Sequence, residues 1–395
     1  MKTSLENIKV LDLTRVLAGP FATMVLGDLG ADIIKIEMPI KGDDARHFGP
    51  YISDESAYFI SLNRNKRSMT LNLKVEKGKE LFLEMIRNVD VIVENYRPGT
   101  MEKLGIGYEA LKKINPKLVY AAVSGYGHTG PYSKRAAYDA VVQAMGGVMS
   151  ITGEKNGRPT RVGTSIGDIT AGLYVVIGIL AALNIRNETG RGQKVDVAML
   201  DCQVAILENA IARYVVTGEI PKPGGNRHPS IVPFETFETK DGEIMIAVGN
   251  NSLWASFCNV IGKQKLIEDV RFKTNRLRNE NYDELRPLIA RVIKKKTIKE
   301  WQEILDDAGV PNGPINTIDK VLEDPQVIAR DMIQEINHPI SGQLKVPGIP
   351  IKLSDTPGAI RRAAPILGEH RNEILKEILS YDDNKIEELE KENIF

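Results

Sequence analysis

The chain has 395 residues, 42% of them hydrophobic and 26% charged, with Lys plus Arg and Asp plus Glu balanced at 52 each. That length supports two domains with cores of their own, and the neutral balance supplies no field for nucleic acid or an anionic membrane. Two cysteines (Cys202, Cys258) and five scattered histidines exclude a disulfide framework and leave no metal site to expect. The opening "MKTSLENIKVLDL" lacks an apolar signal core, so a cytoplasmic protein is expected. From there strand and helix patterns alternate: strand 8–14, helix 20–30, strand 32–37, helix 77–88, strand 89–95 and strand 118–127. Such alternation reads as a parallel sheet covered by helices, an α/β fold. Segments 136–150 and 169–187 read as helices, and 193–218 starts as strand or helix and runs into a long helix.

The texture changes at "EIPKPGGNRHPSIVP" (219–233), a linker by its prolines and glycines. A hairpin turning at Lys240–Gly242 and amphipathic helices follow, then a second Pro/Gly-rich stretch at 346–358 and a polar helical tail. The expected division is a large domain over 1–225, a small α+β domain over 226–330, and a segment 331–395 that returns to the large one.

The first strand–turn–helix invites a dinucleotide reading, but its turn is "LTRVLAGPF". The G-x-G-x-x-G fingerprint is absent, so no nicotinamide or flavin is expected, and no other permanently bound cofactor. Basic residues cluster in "NRNKRS" (63–68) and in "ENYRPGTMEKLG" (94–105), at a strand end where open sheets bind ligands. They suit a phosphorylated nucleotide, or they are solvated loop charges. Asp168, in "SIGDITAG", precedes an apolar run of about 15 residues, short of the roughly 20 a membrane span needs. It reads either as an N-cap or as a nucleophilic carboxylate, with Gly163, Gly167 and Gly172 leaving room for a bulky acyl group.

The blocks "LDLTRVLAGPFAT", "IIKIE", "GDDAR", "NRNKRSMTLNL", "VIVENYRPGTMEKLG", "SGYGHTGPY", "AYDAVVQAMGG", "GRPTRVGTSIGD" and "GRGQKVDVAMLD" together resemble the class III coenzyme A transferases, the carnitine and bile-acid type. The resemblance covers essentially the whole chain. It implies a Rossmann-like large domain with a parallel sheet, a smaller domain, and two chains interlocked as rings. It also implies CoA transfer from an acyl-CoA to a free acid through an aspartyl anhydride and an aspartyl-CoA thioester, with Asp168 as nucleophile and coenzyme A as substrate. By the same resemblance Tyr138 and Asp139 lie near the reacting thioester. Arg15, Leu17 and Ala18, then Lys66 and Arg67, Asn95, Tyr96 and Arg97, with Lys103, fall on CoA-contacting segments. Many members place an arginine where this chain has Met38, so Arg46 or Arg67 is expected to supply that charge. Formyl-CoA:oxalate members carry a glycine run where this chain reads "GNRHPSIVPF", which argues against oxalate and toward succinyl-type dicarboxylic exchange. Arg227 and His228, in that loop, are the candidates for the acceptor's remote carboxylate. The alternative on the same fold is an α-methylacyl-CoA racemase, whose histidine would fall on Tyr138, a poor base near its ordinary pKa of about 10.

Overall fold

The computed structural model describes residues 2–392 and 394–395. Six strands, β1 (Lys9–Asp12), β2 (Asp32–Glu37), β3 (Lys66–Thr70), β4 (Val91–Glu94), β5 (Val119–Ser124) and β6 (Lys194–Ala198), make one sheet. Every pairing is parallel, and the order is β3-β2-β1-β4-β5-β6. This is the doubly wound order, with its reversal between β1 and β4. The strands read as near-continuous apolar runs because both faces are covered. Leu11, Ile34 and Ile92 face a core with Phe82, Met85 and Leu111, whereas Val10, Ile33, Val91 and Val93 face Ala22, Val175 and Ile179.

The second face is covered by α1 (Ala18–Asp28) and by a 24-residue helix, α4 (Ile166–Thr189). By length and composition α4 could cross a membrane, and it is longer than the run of about 15 read from the sequence. It extends the helix read over 169–187 by three residues at its start and two at its end, and stops at Gly190, a left-handed C-cap at φ 69°. Gly172 sits where α4 meets α1: a Cβ there would lie 2.8 Å from the Ala18 carbonyl oxygen. Gly167 is equally filled, 2.8 Å from Val142 Cγ2. These two glycines permit helix packing and hold no space for an acyl group; only Gly163 faces open space.

The chain divides into two units, residues 1–149, 161–218 and 326–395 in one, and 150–160 with 219–325 in the other. The larger takes in the C-terminal segment. The smaller holds three antiparallel strands, β7 (Phe234–Glu238), β8 (Glu243–Ala247) and β9 (Asn312–Pro314), around Trp254, Phe257, Leu285 and Trp301. The 193–218 segment is β6 followed by two helices, α5 (Met199–Ala205) and α6 (Asn209–Thr217), broken at Glu208 by a φ of 53°. Between β5 and α4 lies α3 (Asp139–Met145); earlier, between β3 and β4, lies α2 (Glu76–Ile86).

Candidate active site

Where strand order reverses, the loops leaving β1 and β4 part and open a crevice. Two loops line it, Thr14–Leu17 after β1 and Asn95–Arg97 after β4. Asn95 laces them together: its Oδ1 accepts the Arg15 N–H at 2.8 Å and its Nδ2 donates to the Arg15 carbonyl at 2.7 Å. The next residue, Val16, has φ 69°, a conformation that a β-branched residue rarely adopts. It is held there by Asp43, whose Oδ1 accepts the Val16 N–H at 3.0 Å. Lys35 pairs with Asp43 at 2.8 Å, and both side chains are fully buried.

A cavity of about 310 Å³ beside the β2 and β3 ends is lined by Arg15, Met38, Leu71–Lys74, Tyr96, Thr100 and Leu104 among others. A second, of about 250 Å³, is lined by Arg15, Leu17, Ala18, Asn95–Arg97, Arg135, Tyr138 and Asp168. Arg15 and Tyr96 line both, so the two cavities adjoin at this pair. The Arg15 guanidinium sits 5.2 Å from the Tyr96 ring centre.

Asp168 lies at the third position of α4, whose N-cap is Ser165. The sequence expectation of an N-cap at 168 is therefore displaced. The cap comes from another helix: Asp139 Oδ1 accepts the Gly167 N–H at 2.8 Å, and its Oδ2 accepts from Gln143 at 2.8 Å. Gln143 in turn accepts the Val162 N–H, which fixes the loop entering α4. A helix N-terminus favours a nearby carboxylate anion, but burial and then the Asp139 charge outweigh it and push Asp168 up to about 7. The result is a half-buried carboxylate facing a groove with Arg15, Arg97 and Arg135. Such a group is a nucleophile or base for an elongated anionic substrate.

The expected site residues separate into two groups. Asp168, Tyr138, Arg15, Leu17, Ala18, Asn95, Tyr96 and Arg97 share the second cavity. Asp139, expected beside the reacting thioester, is buried with both oxygens committed, so it acts through the α4 terminus. Lys66 has a fully buried side chain, its ammonium donating to Asp12 at 2.9 Å and to the Pro20 carbonyl at 3.0 Å. Arg67 is taken up by Asp32, Glu373 and Glu377. Arg46 forks onto Glu37 and lies 3.7 Å over Phe59. Each of the three is thus engaged by at least one carboxylate within the protein, as the more exposed Arg15 is by Asp44. Lys103 is exposed on a short helical turn, Thr100–Lys103, whose Thr100 lines the first cavity. In the smaller unit, Arg227 lies 3.6 Å over Tyr282 and donates to Asn279. His228 Nδ1 accepts the Ser230 and Ile231 N–H groups.

Residues missed from the sequence are Leu71–Lys74 and Arg135. Lys74 is exposed and lines the first cavity, and neither cation makes an ion pair among the described residues. The signal was present in "MTLNLK", whose lysine lies in a turn just beyond the end of β3.

Comparison with known proteins accords with this geometry. A family model described as CoA-transferase family III matches residues 5–371. The human succinyl-CoA:glutarate CoA-transferase is 44% identical over 386 residues, covering 98% of this chain and 88% of that protein. An acetyl-CoA:oxalate CoA-transferase of Acetobacter aceti is also 44% identical, covering 95% of this chain and 96% of that protein. The crystal structure of a CAIB/BAIF family protein from Brucella suis is 40% identical with a TM-score of 0.84, covering 96% of this chain and all of that one.

Proposed function

The chain belongs to CoA-transferase family III, and from that premise we propose that it is a cytoplasmic enzyme moving coenzyme A from succinyl-CoA to a second dicarboxylic acid, with Asp168 as the covalent relay. The observation that carries the reading is the placement of the Asp168 carboxylate in a cationic groove at the strand-order reversal. An Asp168 oxygen attacks the thioester carbonyl; the C–S bond breaks, leaving an aspartyl mixed anhydride and CoA thiolate. The thiolate attacks the Asp168 carbonyl, the anhydride C–O bond breaks, and the donor acid leaves as a carboxylate. The acceptor carboxylate then attacks the aspartyl thioester and the sequence runs in reverse, restoring Asp168. No proton is consumed in any step, so Asp168 has to enter ionised. Arg15, Arg97 and Lys74 meet the CoA phosphates in place of Lys66, Arg67 and Arg46.

A relative named for oxalate is as similar as one named for glutarate, so overall identity does not choose the acceptor. We place the acceptor's remote carboxylate on Arg135, which lines the Asp168 cavity and has no carboxylate partner among the described residues. The test is exchange of labelled free acids into succinyl-CoA, read as new CoA esters by mass. Glutarate-length dicarboxylates are expected to be labelled, with no deuterium uptake at the α-carbon of any ester. Deuterium uptake without exchange would make the protein a racemase. Arg135→Ala is expected to cut dicarboxylate turnover at least about tenfold more than that of a monocarboxylate of equal length, as loss of a charge-assisted pair implies. A selective loss in Arg227→Ala instead would move the contact to that loop.

Because ionised Asp168 is the reacting form, the first half-reaction is expected to rise with pH through about 7. Asp139→Asn keeps an acceptor for Gly167 but removes the neighbouring charge, so the midpoint should move down. Single-turnover acylation followed from acid to alkaline pH measures it; an unmoved midpoint would leave Asp139 without that effect.

We also propose that two copies associate. The outward side of α4 exposes Leu173, Tyr174 and Ile177, and α6 exposes Tyr214, Val215 and Val216. Exposed apolar residues of this number on two helices mark a candidate association surface. Light scattering is expected to give twice the chain mass, and a single-chain mass at assay concentration would refute it.

A further inference from the structure

Behind the Asn95–Arg97 turn lies a buried polar cluster that the chemistry above does not use. Glu94 ends β4 and is 1% exposed. Its Oε2 accepts the Tyr96 N–H at 2.7 Å, and its Oε1 accepts the Tyr120 hydroxyl at 3.1 Å. His128 Nε2 stands 3.7 Å from the same Oε1, buried and without a hydrogen-bond partner. The other His128 nitrogen, Nδ1, lies 3.0 Å from the Lys194 ammonium. An ammonium can only donate, so Nδ1 accepts and the imidazole proton is assigned to Nε2, aimed at Glu94. The His128 backbone N–H is held by Asp196.

We propose that Glu94 is a positioning residue for the acyl-CoA groove, its carboxylate tying the Tyr96 turn to β5 and to His128 so that protonation of this cluster sets the affinity for CoA. The inference rests on the placement of CoA along Asn95–Arg97. When ionised, Glu94 gives the Tyr96 amide a charge-assisted acceptor, roughly twice as strong as a neutral one. It can also draw in the unmet His128 Nε2–H. When Oε1 is protonated it gives up the acceptor position that holds the Tyr120 hydroxyl, and the Tyr96 N–H keeps only a neutral, weaker acceptor in Oε2. Burial raises Glu94 to about 7 against the lowering bonds from Tyr96 and Tyr120; Glu102 pushes it further up and Lys194 pulls it down. His128 is held below its ordinary range, first by burial and then by Lys194, against Asp196 and Glu102. A ligand that needs the ordered turn binds the ionised form better and, by linkage, lowers the Glu94 pKa.

CoA binding by calorimetry at acid and alkaline pH, in the Asp168→Asn background, tests this with the nucleophile's own titration removed. Affinity is expected to rise with pH about threefold more than in Asp168→Asn/Glu94→Gln, as a half-unit fall in the Glu94 pKa on binding requires. The phosphate titration of CoA cancels between the two proteins. Gln fits the site without a charge that burial already disfavours. Tyr120→Phe removes a bond that favours the anion and should shift the midpoint upward, which keeps the test open if the Gln variant does not fold. Equal pH dependence in all three proteins overturns the proposal. Arg97→Ala separates the two readings. If it leaves CoA binding unchanged, the CoA placement is what fails. If it weakens binding while Glu94→Gln changes nothing, only the role of Glu94 fails.

Discussion

Asp168→Asn is expected to abolish CoA exchange while raising the stability of the protein above neutral pH. The carboxamide is a poor nucleophile, and loss of a covalent nucleophile removes several orders of magnitude in turnover. The stability effect follows from linkage. In the folded chain Asp168 sits near 7, well above its ordinary 3.8. The native state therefore holds a proton that the unfolded chain gives up between those values, and wild-type stability falls as pH rises through that window. Asparagine carries no such term. The difference in Tm, variant minus wild type, should grow from about pH 4 to about pH 7 and then level. Covalent trapping with hydroxylamine after incubation with succinyl-CoA should mark the 165–172 peptide in wild type alone. Near wild-type exchange in the variant, with no reversion to aspartate by mass, would end the covalent proposal.

The parallel sheet was legible because its strands are buried on both faces, so "DIIKIE" and "VIVE" read as runs with turns at each end. The order of those strands was not legible, since nothing local records which edge a strand joins. The same limit governs the charges. "NRNKRS" displays three cations but not their partners, and those lie far away in sequence: Asp12 for Lys66, Asp28 for Arg64, and Glu373 and Glu377 for Arg67. A basic cluster on a strand is indistinguishable from a basic loop until pairing is known. Asp168 itself was found, yet its reading as a cap failed because the backbone had already turned helical at Ile166. The capping carboxylate arrives from Asp139, which is 29 positions earlier and on α3. Among the cations, Arg15 and Arg97 line the groove, whereas Lys66 and Arg67 are turned inward onto carboxylates that the local sequence does not reveal.

Lys66→Met is expected to damage the fold, whereas Lys74→Ala is expected to spare the fold and weaken acyl-CoA. Lys66 is fully buried beside Asp12, which also accepts from the Thr14 amide and from Thr23. Burial opposes ionisation of Asp12, but Lys66 and Lys35, with the hydroxyls of Thr14 and Thr23, outweigh it and hold the carboxyl down to about 2. Removing one partner strands that charge, a change that costs roughly 3–5 kcal/mol in buried pairs. Asp12 would then rise from about 2, with Lys35 and the Thr14 and Thr23 hydroxyls still holding it down. In wild type its ionised form stabilises the fold above the ordinary 3.8 and that contribution is lost as pH falls toward 2, so the variant forfeits it only where the carboxylate is ionised. The Tm deficit of Lys66→Met should thus be larger at about pH 6 than at about pH 3. Adding Asp12→Leu should recover much of it, because a buried pair replaced by apolar groups is often neutral. Lys74 has no such partner among the described residues, and it is exposed and lines the cavity. Its loss should leave stability within about 0.5 kcal/mol of wild type, as surface substitutions do, and raise KM for succinyl-CoA about tenfold, with little change for the free acid. A Lys66→Met protein that melts like wild type but binds succinyl-CoA weakly would return Lys66 to the phosphate and remove the brace from this account.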